Sequence, residues 1–156
     1  GQRLAALLAV IHDMKALGLK TAQGLVVTDF GYWDLNDETR AFTKRFMART
    51  GVAPNFIHLN DYGATMHYLK AVKAAGTDKA EAVIAKMKEL KINDMITKDG
   101  WIREDNRVMR DAWLVQVKAP EESKSEWDMY KILAHIPAKE AIRPLEQSEC
   151  PMVKKG

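Results

Sequence analysis

Cysteine is nearly absent: Cys150 is the only one in 156 residues. No disulfide can close within the chain, and a cysteine-based metal site is excluded. Cys150 is either a free thiol or half of a bridge to another region. Long apolar runs are also missing. The most apolar stretch, residues 4–11, gives way to His12, Asp13 and Lys15 and is far too short to span a bilayer. These residues show no charged leader with an apolar segment and small-residue cleavage site, so no export signal is visible in them. Neither sign of charge dominates, with 24 basic and 21 acidic residues. The two signs are interleaved, as in Glu38, Arg40, Lys44, Arg45 and Arg49, leaving no basic stripe for a nucleic-acid partner. There is no internal repeat and no low-complexity linker.

The chemistry-bearing motifs are missing as well. His12, His58, His67 and His135 are scattered, no two of them one helical turn apart, so no metal is expected. Asp34, Asn36 and Glu38 alternate as calcium ligands do. They lack the turning glycine and the distal glutamate of an EF-hand, and helix capping accounts for them better. No serine sits in a nucleophile elbow, and Cys150 has no adjacent histidine. No glycine-rich phosphate or dinucleotide loop is present. With 21 acidic residues, a possible carboxylate pair is almost inevitable and therefore uninformative. No catalytic residue and no cofactor are assigned, and ligand binding fits better than catalysis.

What is present reads as α/β. Leu4, Leu7, Leu8, Ile11, Met14 and Leu17 give a helical stripe ending at Gly18. Residues 24–28 read as a short buried strand, and 29–37 as a polar and aromatic loop. Asp34 or Asn36 then caps a helix carrying Phe42 and Phe46. After Gly51 and Pro54, residues 56–59 read as a strand and 61–75 as a helix closed by Gly76. Asp78 and Glu81 have capping-box spacing for a helix through Leu90. Turns are expected at Asp99-Gly100 and over 103–107, and a strand over 113–117. Residues 127–136 suit a strand, with helix as the alternative. Pro137, Pro144, Pro151 and Lys154-Lys155 suggest an extended tail.

The strongest functional pattern is aromatic residues beside polar ones at strand ends. The first strand delivers Phe30, Tyr32 and Trp33, and residues 56–59 lead to Asn60, Asp61 and Tyr62. Ligands of open α/β sheets gather at the carboxyl ends of strands, and a pocket for a flat or apolar molecule needs such rings. The competing role for the same rings is to fill a core or a subunit contact.

Three groups of residues carry a family resemblance: Lys20-Thr-Ala-Gln-Gly-Leu-Val-Val-Thr28; Tyr32-Trp-Asp-Leu-Asn-Asp-Glu-Thr-Arg40 with Lys44-Arg-Phe46; and Asp61-Tyr-Gly-Ala-Thr-Met-His-Tyr-Leu-Lys-Ala-Val72. Ala75-Gly-Thr-Asp78 and residues 106–117 extend it. In order and spacing the chain resembles the branched-chain amino-acid group of type I periplasmic substrate-binding proteins of ABC importers, nearest to those taking aromatic acids. The resemblance implies an incomplete part of a two-lobed fold. Residues 1–35 would end the second lobe, 36–110 belong to the first, and 111–156 cross back and form the tail. It further implies a periplasmic location, a signal peptide and amino-terminal portion outside these residues, and a small solute and a membrane permease as partners. Cys150 is then expected to pair in the exported protein. A 156-residue piece is expected to expose apolar faces and to be marginally stable alone.

By the same resemblance Tyr62 matches a cleft-lining ring, and Gln23 falls where amino-acid binders place an ammonium-pairing glutamate. A neutral amide cannot supply the charge attraction that a buried ammonium needs. A carboxylic acid is therefore expected ahead of an amino acid, with Phe30, Tyr32, Trp33 and Asp61 bordering the cleft. The alternatives are an intracellular ligand-sensing domain of this fold, and an α/β enzyme completed by residues elsewhere.

Overall fold

The computed structural model describes residues 1–149 and 153, so Cys150, Pro151 and the Lys154-Lys155 pair lie outside the described residues. In chain order the elements are β1 (Ala5–Ala6), α1 (Ile11–Leu17), α2 (Leu19–Ala22), β2 (Val26–Asp29), α3 (Asp37–Thr50), α4 (Phe56–Ala75) and α5 (Ala80–Glu89). Then follow β3 (Trp101–Ile102), β4 (Val108–Met109), β5 (Ala112–Val117), β6 (Tyr130–Ile136) and α6 (Ala138–Ala141). They form two compact units. One comprises Gly1–Leu59 and Ala112–Ile136; the other comprises Asn60–Asp111 and the described residues after Ile136.

The first unit is built on a four-stranded sheet ordered β1-β2-β5-β6. β1 runs parallel to β2, whereas β2–β5 and β5–β6 are antiparallel, with Val27 opposite Val115 and Asp29 opposite Trp113. Alternation along β2 turns Val27 and Asp29 inward and Thr28 outward. Val27 and Val115 pack with Ile11 and Met14, one turn apart on α1, and with Tyr32 and Trp127. Each such apolar side chain contributes about 1.5–3 kcal/mol on burial. α3 starts at Asn36, whose side chain accepts from Thr39 N at 2.9 Å, and stops at Gly51 in the left-handed region.

The second unit packs residues 60–75 of α4 beside α5, where His67 Nε2 donates to Met87 O at 2.9 Å. A β3–β4 hairpin follows, with Trp101 opposite Met109, and its turn closes through Arg103 N to Arg107 O at 2.8 Å. Asn106 takes a positive φ of 65° in that turn, and Asp99 one of 54° beside Gly100. Arg103 forks onto Asp105 at 3.0 and 2.8 Å and reaches Arg143 O at 2.8 Å.

Four local expectations need correction. The first helix does not begin at Leu4: residues 5–6 are β1, and helix starts at Ile11, where the Asp13 carboxylate accepts from Val10 N at 2.8 Å. Leu4, Leu7 and Leu8 are 77%, 101% and 79% exposed, so the first half of the helix-like stripe stays outside the core that Ile11 and Met14 enter. Residues 56–59 are the first turn of α4, not a strand, because Asn55 caps them: its Oδ1 accepts from Ile57 N and His58 N at 3.0 and 3.2 Å. Asp78 does not cap α5, whose N-cap is Lys79. The described tail is not extended throughout. It holds α6, where Ala138 N donates to Asp111 Oδ1 at 2.9 Å, and a short 3-10 turn at Leu145–Gln147.

Candidate functional site

Of the residues singled out in the sequence, Tyr32 and Trp33 are brought together, and one acceptor holds both. Tyr32 Oη donates to Trp127 O at 3.3 Å, and Trp33 Nε1 donates to the same carbonyl at 2.8 Å. Tyr32 is 5% exposed and also accepts from Tyr130 N at 3.4 Å. Its ring lies 5.6 Å from Trp33 and 5.4 Å from Tyr130. These rings pin the chain before β6 onto the loop after β2. Burial pushes the Tyr32 hydroxyl well above the usual tyrosine range, and the same cause acts on Tyr130. Phe30, two residues before Tyr32, is half-buried. Gln23 is exposed after α2, and its Nε2 donates to Lys20 O at 2.9 Å, so its amide is turned onto its own helix.

Asp29, read from sequence as the start of the polar loop, is instead the buried last residue of β2 at 3% exposure. Its Oδ1 accepts from Gly31 N at 3.1 Å. Burial pushes this carboxyl up to about 7, against the lowering effect of the Gly31 and Phe30 amides. No motif marks it: a strand-ending aspartate looks the same in sequence whether buried or exposed.

Asp61 and Tyr62 are exposed on α4 in the second unit. Asp61 borders a cavity of about 150 Å³ whose wall also includes Asn60, His67, Asp94, Thr97 and Arg110. Arg110, immediately after β4, donates to Asn60 Oδ1. Burial lowers its guanidinium pKa, with Asp94 opposing and Arg107 adding to that shift. Asp94 Oδ1 accepts from Ile96 N and Thr97 N at 2.8 and 2.7 Å. Gly63 lets α4 approach this turn, because a Cβ there would overlap the Asp94 carboxylate. Sequence reasoning missed Arg110, since the Asn60 that receives it lies 50 positions away. Among the described residues no cluster of three His, Cys, Asp or Glu side chains is placed to hold a metal ion, and no helix is long and apolar enough to cross a membrane.

The first unit thus holds the aromatic anchors, and the second a small cavity of mixed lining. The model of the family described as periplasmic binding protein matches residues 1–124. The chain belongs to that family. A periplasmic binding protein from Burkholderia mallei is 42% identical and superposes with a TM-score of 0.94, over 97% of this chain and 40% of its own. A branched chain amino acid ABC transporter periplasmic ligand-binding protein from Burkholderia xenovorans LB400 is 38% identical, with a TM-score of 0.91 and the same two coverages. An amino acid ABC transporter substrate-binding protein from Pseudomonas fluorescens Pf-5, 19% identical with a TM-score of 0.77 over 87% of this chain and 37% of its own, shares the fold. The chain thus spans about two-fifths of the length of the two Burkholderia proteins, and its fold is the corresponding part of the type I periplasmic binding protein fold. No curated protein matches it.

Proposed function

We propose that the whole protein is the extracytoplasmic solute-binding component of an ABC importer, located in the periplasm, which captures a small organic acid and passes it to a membrane permease. The observation that carries this reading is the 38% identity, over 97% of the chain, to the ligand-binding protein of an ABC transporter. Capture requires no covalent step: affinity comes from contact with rings and from lobe closure that excludes water from polar contacts. The division of residues 1–35, 36–110 and 111–156 between two lobes belongs to the same proposal, as do the signal peptide and the pairing of Cys150 in the exported protein.

The solute class follows from charge. Gln23 is neutral where the resemblance expects an ammonium-pairing glutamate, which favours a carboxylic acid, aromatic or otherwise, over an amino acid. Arg110 adds support by bringing a guanidinium to the cavity that Asp61 borders, a group suited to a carboxylate. Tyr62, 41% exposed, is assigned as the ring that meets the solute, with Asp61 beside it and Phe30 at the end of β2. Tyr32 and Trp33 are assigned to support that edge. Calorimetry on the whole protein, against matched acids with and without an α-amino group, tests this. Acids lacking the amino group should bind, Tyr62→Ala should weaken them by about 1–4 kcal/mol, and Gln23→Glu should weaken them by charge repulsion. Tight binding of leucine or valine with the acids ignored would overturn the solute class and leave the family unaffected.

A further inference from the structure

Two histidines of the first unit converge on the residue that caps α4. His12, on α1, approaches Ala53 O through Nε2 at 2.9 Å. A carbonyl oxygen only accepts, so Nε2 carries the proton. The other ring nitrogen, Nδ1, lies 3.2 Å from Asn55 Nδ2. An amide nitrogen only donates, so His12 Nδ1 must be bare. His58 Nδ1 in turn accepts from the backbone N of Asn55 at 3.2 Å, so it too is bare. The side-chain oxygen of Asn55 is engaged on the opposite edge, accepting from Ile57 N and His58 N at 3.0 and 3.2 Å. Every hydrogen bond that fixes this buried asparagine therefore depends on neutral imidazoles or on the helix it caps.

From this geometry we infer that Asn55, clamped between His12 and His58, makes the cap of α4 sensitive to protons. A proton on His12 Nδ1 would set a donor against a donor. If the Asn55 amide rotated to present its oxygen to that ring, its NH₂ would face Ile57 N and His58 N, and the cap would be lost. A proton on His58 Nδ1 removes the acceptor of Asn55 N. The ring centroids are 5.9 Å apart and nearly perpendicular, so two imidazolium charges would also repel. The charged side chains of α1 and Glu126 are engaged with other partners. His12 meets the Trp127 ring at 5.2 Å, and Phe46 of α3 lies 5.0 Å from His58. Of the nearby charges, Asp13 is engaged by Val10 N, Lys15 lies over Trp127, and Glu126 pairs with Lys15 at 2.9 Å. Acidification thus loosens the first turn of α4, independently of which solute the whole protein binds.

Long-range ¹⁵N correlation spectra of the imidazoles, with amide exchange protection measured from pH 8 to pH 5, test the inference. At pH 8 His12 should be the Nε2–H tautomer. The protection of Ile57 and His58 should fall about fivefold, the scale of one lost cap, with the midpoint of histidine protonation. Asn55→Asp, whose carboxylate can accept from a protonated His12 and from the helix at once, should keep that protection in acid. An Nδ1–H tautomer of His12 at pH 8, or protection of Ile57 and His58 unchanged through the titration, would overturn it.

Discussion

Replacing Asp29 with asparagine should reverse sign in its effect on stability between acid and alkaline pH. The carboxyl is 3% exposed and accepts from Gly31 N, and burial raises its pKa from 3.8 to about 7. Because the folded value lies above the unfolded one, the folded chain holds this proton more tightly. Below the unfolded value both states are protonated and the group does not affect the balance. As pH rises from 3.8 the unfolded chain ionises first, and stability drains away until the loss levels off near pH 7. At about 1.4 kcal/mol per pH unit the interval amounts to about 4 kcal/mol. Asparagine preserves the acceptor for Gly31 N and cannot ionise, while its buried NH₂ group costs about 1–3 kcal/mol. The variant should therefore be less stable than the parent near pH 4 and more stable, by about 1–3 kcal/mol, near pH 8.

Urea denaturation followed by tryptophan fluorescence, at half-unit steps over this range, measures the difference directly. Groups that titrate alike in both proteins cancel from that difference, so its slope isolates Asp29, provided the substitution leaves distant sites undisturbed. A difference that stays flat from pH 4 to pH 8 would show that the carboxyl ionises as freely in the folded chain as in the unfolded one. The desolvation argument would then be wrong.

Two further substitutions test the packing in each unit. Gly63→Ala should cost about 1–3 kcal/mol through overlap with the Asp94 carboxylate, and Asp94→Ala in the same chain should make the added methyl nearly neutral; a double-mutant cycle by urea denaturation reads the coupling. Lys118→Ala should cost about 2–3 kcal/mol at neutral pH by stranding Asp128, a carboxylate only 11% exposed that otherwise keeps the Lys124 N contact. Burial pushes the Asp128 pKa up, but the Lys118 ion pair and the Lys124 amide together outweigh it and hold it low. The Lys118 contribution should accordingly fade as acid protonates Asp128, which denaturation at two pH values would show.

Elements set by local chemistry were legible in the sequence. α3 follows from an asparagine cap, paired phenylalanines and a closing glycine; β2 and β5 follow from short β-branched runs. Residues 56–59 were misread because Phe-Ile-His-Leu suits a strand as well as a helix start. The deciding signal, Asn55 after Pro54, is a cap that the apolar pattern concealed. The Leu4 stripe failed for the opposite reason. Its spacing is helical, yet Val26 N donates to Leu4 O at 3.0 Å and draws this stretch into the sheet. The buried charges were not legible at all. Asp29 and Arg110 owe their perturbed ionisation first to burial, which no local sequence pattern announces.

The same distinction bears on which rings meet a solute. An aromatic side chain serves recognition only if its face is accessible and something rigid holds it in place. Tyr32 and Trp33 spend their polar atoms on Trp127 O, and Tyr32 has almost no exposed surface, so what they supply is rigidity. Tyr62 has the complementary properties. It projects at 41% exposure from a 20-residue helix that Asn55 caps at one end and Gly76 N bonding to Val72 O closes at the other. On the proposed reading, the aromatic-rich loop, the more conspicuous feature in the sequence, is the support, and the less conspicuous Tyr62 is the ring assigned to the solute.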